Sequence, residues 1–275
     1  MAIKQVLLPL LGDPGPGSAA AITKCVKVAA SFDAEIIAIA VEEDVSVRPQ
    51  NLISADFPEE VKSTTDAQGL LRAFAAAIGE IGVRNVQKLQ HLTAGDAPKY
   101  LAQCARLKDL SIVPVKPDDD KMEKVIEGLI FRSGRPILLC PEELAAELPV
   151  NFDRVVIAWD HSAPAARVLG DALVMLHRAR HVQIITATDG NTAAEQQSGA
   201  AVVGHLAKHG INASFETVRI DGSSVGKILG AEVKVRGADL LVMGAYGHSR
   251  VSEWILGGAT KTIIARPPCW VMMSH

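Results

Sequence analysis

Along the chain, short runs of consecutive apolar residues alternate with longer stretches in which apolar side chains recur every three to four positions. In the second half, residues 155–160 (Val-Val-Ile-Ala-Trp-Asp) read as a strand covered on both faces, and Ala165, Leu169, Ala172 and Leu176 then fall on one helical stripe. Residues 182–187 read as a second strand, 192–209 as a helix and 213–218 as a third strand. A helix capped by Ser223 and running to Arg236 follows, then a fourth strand over 240–243. Fully apolar strands alternating with amphipathic helices predict a mostly parallel sheet with helices on both faces.

The pattern occurs twice, in the same order. Lys4-Gln-Val-Leu-Leu-Pro-Leu10 matches Asp153-Arg-Val-Val-Ile-Ala-Trp159, and Leu92-Thr-Ala-Gly95 matches Arg219-Ile-Asp-Gly222. Asp109-Leu-Ser-Ile-Val-Pro114 matches Asp239-Leu-Leu-Val-Met-Gly244, and the closing run from Pro136 matches the one from Pro268. The acidic, proline-bracketed stretch Pro141-Glu-Glu-Leu-Ala-Ala-Glu-Leu-Pro149 lies between the copies. It predicts domains over 1–141 and 151–275 joined by a linker at 142–150.

Composition narrows the function classes. The chain has 275 residues, 48% of them hydrophobic, and a formal net charge of −3, which describes ordinary globular material. Residues 1–150 carry 16 Lys and Arg against 21 Asp and Glu, whereas 151–275 carry 12 against 10, so the second half is the better host for an anion. Neither half has the dense basic face that nucleic acid requires. No run approaches the roughly 20 apolar residues of a membrane span, and the first apolar run is too short for a signal sequence, which predicts a cytoplasmic protein. The scattered Cys25, Cys104, Cys140 and Cys269 read as reduced packing thiols. His205 and His209 have the i, i+4 spacing of a zinc helix but lack its Glu and a third ligand.

Candidate chemistry is concentrated at Asp239-Leu-Leu-Val-Met-Gly244-Ala-Tyr-Gly247-His-Ser-Arg-Val-Ser-Glu-Trp-Ile-Leu-Gly257-Gly258-Ala-Thr260. Glycines just beyond a strand let backbone approach a phosphate, and the N-terminus of a following helix offers free N–H groups to it. The spacing Gly-x2-Gly-x9-Gly is neither a Walker loop, which ends in Gly-Lys-Ser/Thr, nor a Rossmann fingerprint, which follows the first strand of its unit.

That segment resembles the universal stress protein family, whose ATP-binding members carry Gly-x2-Gly-x9-Gly-Ser/Thr after the fourth strand of a flavodoxin-like domain. Gly258 stands here at the Ser/Thr place, with Thr260 two residues on. The resemblance implies two tandem flavodoxin-like or Rossmann-like α/β domains, each a five-stranded, mostly parallel sheet of order 3-2-1-4-5 with helices on both faces. It implies ATP as the ligand, with or without Mg2+, although no second carboxylate accompanies the loop to hold the metal. Asp160 would accept from the adenine amino group, and Ala187 or Thr188 would offer backbone. Met243, Gly244, Gly247, His248, Gly257, Gly258, Ala259 and Thr260 would hold ribose and phosphates. Asp160 sits in Trp159-Asp-His-Ser162, where His161 replaces the glycine of the family's usual Asp-Gly-Ser turn. The resemblance further implies antiparallel pairing of the fifth strands, 136–140 with 268–273, and leaves a homodimer of such chains open. No residue reads as a committed catalytic base.

Plainer roles stand beside these. Asp160 is also a good Asx-turn or N-cap residue, and Gly244 and Gly247 are equally good turn glycines. In the first half, Leu11, Pro114, Pro117 and Glu127 fall at the places of Asp160, Gly244, Gly247 and Gly257, and Asp118-Asp-Asp120 adds negative charge. Proline removes N–H donors, so this half is not expected to bind ATP. Two functions follow: a stress-response or regulatory protein that binds an adenine nucleotide in its second half, with slow or absent hydrolysis, or a nucleotide-free tandem module that recruits protein partners.

Overall fold

A computed structural model of the chain describes residues 2–44, 59–190, 192–246 and 258–275. The first half comprises β1 (Gln5–Leu10), α1 (Pro16–Ser31), β2 (Glu35–Asp44), α2 (Glu59–Ile81), β3 (Asn85–Thr93), α3 (Ala97–Ala105), β4 (Leu110–Val115), α4 (Asp120–Arg132) and β5 (Ile137–Pro141). The second comprises β6 (Arg154–Ala158), α5 (Ala163–Leu176), β7 (His181–Thr188), α6 (Ala193–Lys208), β8 (Ala213–Arg219), α7 (Val225–Val235), β9 (Leu240–Gly244), α8 (Gly258–Ala265) and β10 (Trp270–Ser274).

The expected strand order 3-2-1-4-5 is present in each half, but not as two separate five-stranded sheets. The strands form one ten-stranded sheet of order β3-β2-β1-β4-β5-β10-β9-β6-β7-β8. All neighbours run parallel except β5 and β10, which pair antiparallel with Val271 opposite Leu139, Met272 opposite Leu138 and Met273 opposite Ile137. The strands nearest this seam are the most apolar, and every residue of β4, β5 and β10 is buried. Sheets covered on both faces demand such composition. On one face α3 packs on α4 and α7 on α8, and α4 meets α8 across the seam.

The sequence repeat has a matching structural detail. Asp109, just before β4, accepts from Gln5 N–H at 3.0 Å and returns its own N–H to Gln5 O at 2.9 Å. Asp239, just before β9, makes the same pair of bonds with Arg154, at 2.8 Å each. In both halves this aspartate fixes the register at which the fourth strand joins the first.

Helix starts follow capping chemistry. Thr192 and Glu195 form a reciprocal capping box on α6, Ser162 caps α5, and Asp119 caps α4. The cap of α7 is Ser224, whose hydroxyl accepts from Lys227 N, rather than the predicted Ser223. Among the described residues, no helix is long and apolar enough to cross a membrane.

The stretch after β5 turns through a 3-10 segment, Glu142–Leu144, and then packs against both halves. Ala145, Leu148 and Phe152 are buried in the common core. Lys24 of α1 donates to Leu148 O, and the indole N–H of Trp270 in β10 donates to Pro149 O at 3.0 Å. Trp270 is fully buried and meets Phe152 edge-on at 6.0 Å between ring centroids. Trp270→Ala leaves both a cavity and an unpaired carbonyl at the seam. It is expected to lower unfolding free energy by about 3–5 kcal/mol, measured by urea titration of the full chain.

Candidate functional site

In the second half the strand order changes direction between β6 and β9, and a crevice opens at the carboxyl ends of those strands. Open α/β sheets place ligands at such a point. The cavity is about 350 Å³, within the usual range for small-molecule sites. The end of β6 contributes Ala158, Trp159 and Asp160, and β7 contributes Ile185 and Ala187. The start of α7 supplies Ser224, Val225 and Leu229. Met243, Gly244 and Tyr246 come from the end of β9 and its loop, and Gly258, Ala259 and Thr260 from the first turn of α8.

Seven of the sequence-predicted residues therefore share one cavity: Asp160, Ala187, Met243, Gly244, Gly258, Ala259 and Thr260. Gly247, His248 and Gly257 lie outside the described residues. Trp159, Ile185, Ser224, Val225 and Leu229 were not foreseen as wall residues. Ser224, the cap of α7 one residue beyond the predicted Ser223, lies on the wall with Val225.

Each central residue also has a structural duty. Asp160 Oδ1 accepts from Ser162 N at 3.0 Å, an Asx turn, and Ser162 Oγ in turn accepts from Ala165 N at 3.2 Å. Between them His161 sits at φ +63°, a left-handed conformation that normally favours glycine, so the family's glycine has a backbone reason and this chain bears the strain. Gly244 is required by packing: a Cβ there would lie 2.5 Å from Ala165 N and 2.7 Å from the Pro164 carbonyl carbon. This glycine lets the start of α5 close onto β9, whatever occupies the crevice. Thr260, buried at the start of α8, accepts from Tyr246 N at 3.0 Å, so its hydroxyl holds the loop.

Gly258 differs, because a Cβ there would meet nothing within 4 Å among the described residues. Gly226 of α7 packs against α8, where a Cβ would fall 2.7 Å from Thr262 Cβ. That close crossing brings the N-termini of α7 and α8 to the same crevice. Both present the positive end of a helix dipole. Among the described residues the cavity wall carries one carboxylate, Asp160, and no Lys or Arg. Ile185, Val225, Leu229 and Met243 give it apolar sides suited to a flat ring.

At the rim, Thr188 Oγ1 donates to Glu195 Oε1 at 2.6 Å and Thr192 N–H donates to Oε2 at 2.6 Å. These hydrogen bonds, with Thr188 foremost, hold the Glu195 carboxyl below its usual range. The Trp159 indole N–H donates to Ser198 Oγ at 2.8 Å and anchors the end of β6 to α6. His205 and His209 stack edge-on at 4.8 Å. Among the described residues no group of three or more His, Cys, Asp or Glu is placed to hold a metal ion.

The corresponding crevice of the first half, about 410 Å³, has a different wall. It is lined by Asp13, Asp118, Asp119, Asp120 and Glu142 with Lys116 and Lys121. Burial raises the Glu142 carboxyl above its ordinary value, against a lowering by the hydrogen bond from Ser18 at 3.1 Å. Glu127, aligned with Gly257 on sequence, lies in mid-α4 rather than ahead of a helix, because α4 starts several residues earlier than the pattern implied.

Fold and crevice together define a doubly wound α/β protein with a switch-point pocket in its second half. Residues 151–275 match the universal stress protein family. Over its whole length the chain is similar to a universal stress protein from Archaeoglobus fulgidus (TM-score 0.69, 20% identity, 98% of this chain and 97% of that one). It is also similar to a functionally unknown protein from Pseudomonas aeruginosa (TM-score 0.59, 13% identity, 99% and 92%). A third similar structure is the cytoplasmic domain of a prokaryotic cation chloride cotransporter (TM-score 0.53, 13% identity, 99% and 96%). At these identities the likeness is one of fold. No curated protein matches the chain.

The contrast between the two glycines is directly testable. Gly244→Ala is expected to destabilise the protein by about 1–3 kcal/mol, since the atoms it meets are backbone. Gly258→Ser is expected to stay within about 0.5 kcal/mol of the parent. Urea unfolding of both variants checks the pair, and equal stabilities would contradict the packing role of Gly244.

Proposed function

We propose that the protein is a stress-response or regulatory protein that binds an adenine nucleotide in the crevice between β6 and β9. The observation that carries this reading is the convergence of Asp160, Ala187, Met243, Gly244 and the Gly258–Thr260 turn, far apart in sequence, on one cavity with apolar sides and two helix N-termini at one end. The family match of residues 151–275 supports it.

In this reading the adenine ring lies between Ile185, Val225, Leu229 and Met243, with Asp160 at its amino edge. Phosphate oxygens meet the N–H groups of the first turn of α8, and the dipoles of α7 and α8 supply the favourable potential that side chains of the wall lack. Mg2+, where present, rides on the phosphates and water, as small divalent cations often do. In this reading the protein acts by binding and shape, with hydrolysis slow or absent. The first half, with five carboxylates in its own crevice, serves as scaffold. The tandem arrangement is read as two domains, 1–141 and 151–275, joined at 142–150.

The test is to identify any nucleotide released from the purified protein and to titrate ATP into the parent and Asp160→Ala by calorimetry. One ATP per chain is expected, with Asp160→Ala at least about tenfold weaker, the loss of a charged hydrogen-bond acceptor being worth about 1.5–3 kcal/mol. Absence of heat at millimolar ATP would sink the nucleotide reading.

A second reading is favoured by other observations. Asp160, Gly244 and Thr260 each have a structural job that needs no ligand. On that account the pair of halves is a nucleotide-free module that recruits protein partners. Under it, Asp160→Ala changes stability through the lost turn and leaves calorimetric traces flat for parent and variant alike.

A further inference from the structure

The wall of the second-half crevice is held from the first half. The Tyr246 hydroxyl donates to Glu127 Oε1 of α4 at 3.1 Å, and its ring packs on Phe131 with centroids 4.7 Å apart and planes tilted 33°. Lys261, one residue beyond Thr260 in α8, lies 3.7 Å from Glu123 Oε1. Glu123, Glu127 and Phe131 are spaced four residues apart, so they form one stripe of α4 turned toward the second half. Further along the seam, Arg266 at the end of α8 pairs with Asp118 at 3.1 Å, and Asp118 N–H donates to Ala265 O at 3.2 Å.

Tyr246 is fixed at both ends. Its backbone adopts φ +57°, its N–H is held by Thr260 Oγ1, and its phenol is held by Glu127. Burial first, and then the Glu127 charge, push the phenol well above its ordinary ionisation range, so it remains a donor throughout the neutral range. A side chain so constrained cannot move on one side without disturbing the other.

We propose that α4 of the first half is coupled to occupancy of the second-half crevice, with Tyr246 and Lys261 as the two links. This rests on the nucleotide reading of that crevice. A ligand there touches the Tyr246 ring and the first turn of α8. Its phosphate charge, sited at that turn, competes with Glu123 for the ammonium of Lys261, and this supplies the interaction that differs between empty and filled states. Binding loosens the Lys261–Glu123 tether and shifts Tyr246 against Glu127 and Phe131, so the change is delivered to α4. The first half, poor in phosphate-binding groups of its own, thereby acquires a role as the reader of its neighbour.

Hydrogen exchange of the full chain with and without saturating ATP tests the coupling, read in peptides covering 120–132. The parent is expected to show an exchange change of about threefold or more in α4, and Tyr246→Phe and Glu127→Ala are each expected to lose most of it. By reciprocity Glu127→Ala also alters ATP affinity, by about fivefold or more, while its thermal unfolding stays cooperative. Lys261→Gln, an exposed change that does not endanger folding, is expected to abolish the part of the response carried by Glu123. ATP binding at parental affinity in all three variants, or binding to the parent with α4 unchanged, overturns the coupling and leaves the nucleotide reading intact. Failure of the parent to bind ATP overturns both.

Discussion

The antiparallel contact of β5 with β10 is the constraint on which the remaining structure depends. Parallel pairing of a closing strand with a repeat of itself would need a crossover connection, whereas antiparallel pairing needs only that two similar edges meet. In this chain those edges are entirely buried, apolar but for Ser274, and contain Trp270. Left unpaired, each would be an adhesive edge in water. Joining them removes both edges at once and makes a single sheet whose free borders are β3 and β8, the two strands least buried. It also sets α4 beside α8, without which Glu123, Glu127 and Phe131 would face solvent rather than the second-half crevice.

Much of this was legible in the residues. The two copies of strand and helix pattern, and the aspartates at 109 and 239 that open the fourth strands, are local signals of the elements and the repeat, while the strand order within each half came from the family resemblance. The fusion into one ten-stranded sheet was less visible, because the apolar pattern of β5 and β10 states only that both faces are covered and is silent about which edge meets which. The stretch 142–150, expected as a linker, has a second role that its pattern does not state. Pro141 and Pro149 mark a break in regular structure, but Ala145, Leu148 and Phe152 within and after it are buried, so a stretch that punctuates the chain also straps its halves together.

At the site, residue types were easier to find than the reasons for them. Gly244 was recognisable as a glycine position, yet its cause is the close passage of Pro164 and Ala165 from another element, which no local pattern encodes. Thr260 was legible as a hydroxyl near a helix start, whereas its partner, Tyr246 N–H, depends on the return of the loop. The unforeseen walls Ile185, Val225 and Leu229 look like any other core residues in sequence. His161 is the opposite case: a side chain at a turn position where glycine is expected announces strain directly, and the backbone there has positive φ.

Electrostatics gives the two halves their different characters on one scaffold. In the first, Asp118 and Asp119 occupy the turn before α4; Asp119 caps the helix and Asp118 reaches Arg266 of the second half. The N-terminus of α4 is thus satisfied internally by carboxylates, which complement its dipole as an external anion would. In the second, α8 opens with Gly258-Ala259, residues with no side-chain acceptor for the helix N–H groups. The same structural position carries the chain's own carboxylates in one copy, whereas in the other the first described residues of the helix bring none. Because α4 and α8 touch across the seam, the carboxylates at the start of α4 are continued by Glu123 and Glu127, which hold Lys261 and Tyr246 of the second half. Under the proposed nucleotide reading, an anion entering the second crevice arrives close to the carboxylates that hold Lys261 and Tyr246, and that juxtaposition would make the first half a participant in binding rather than a remnant of duplication.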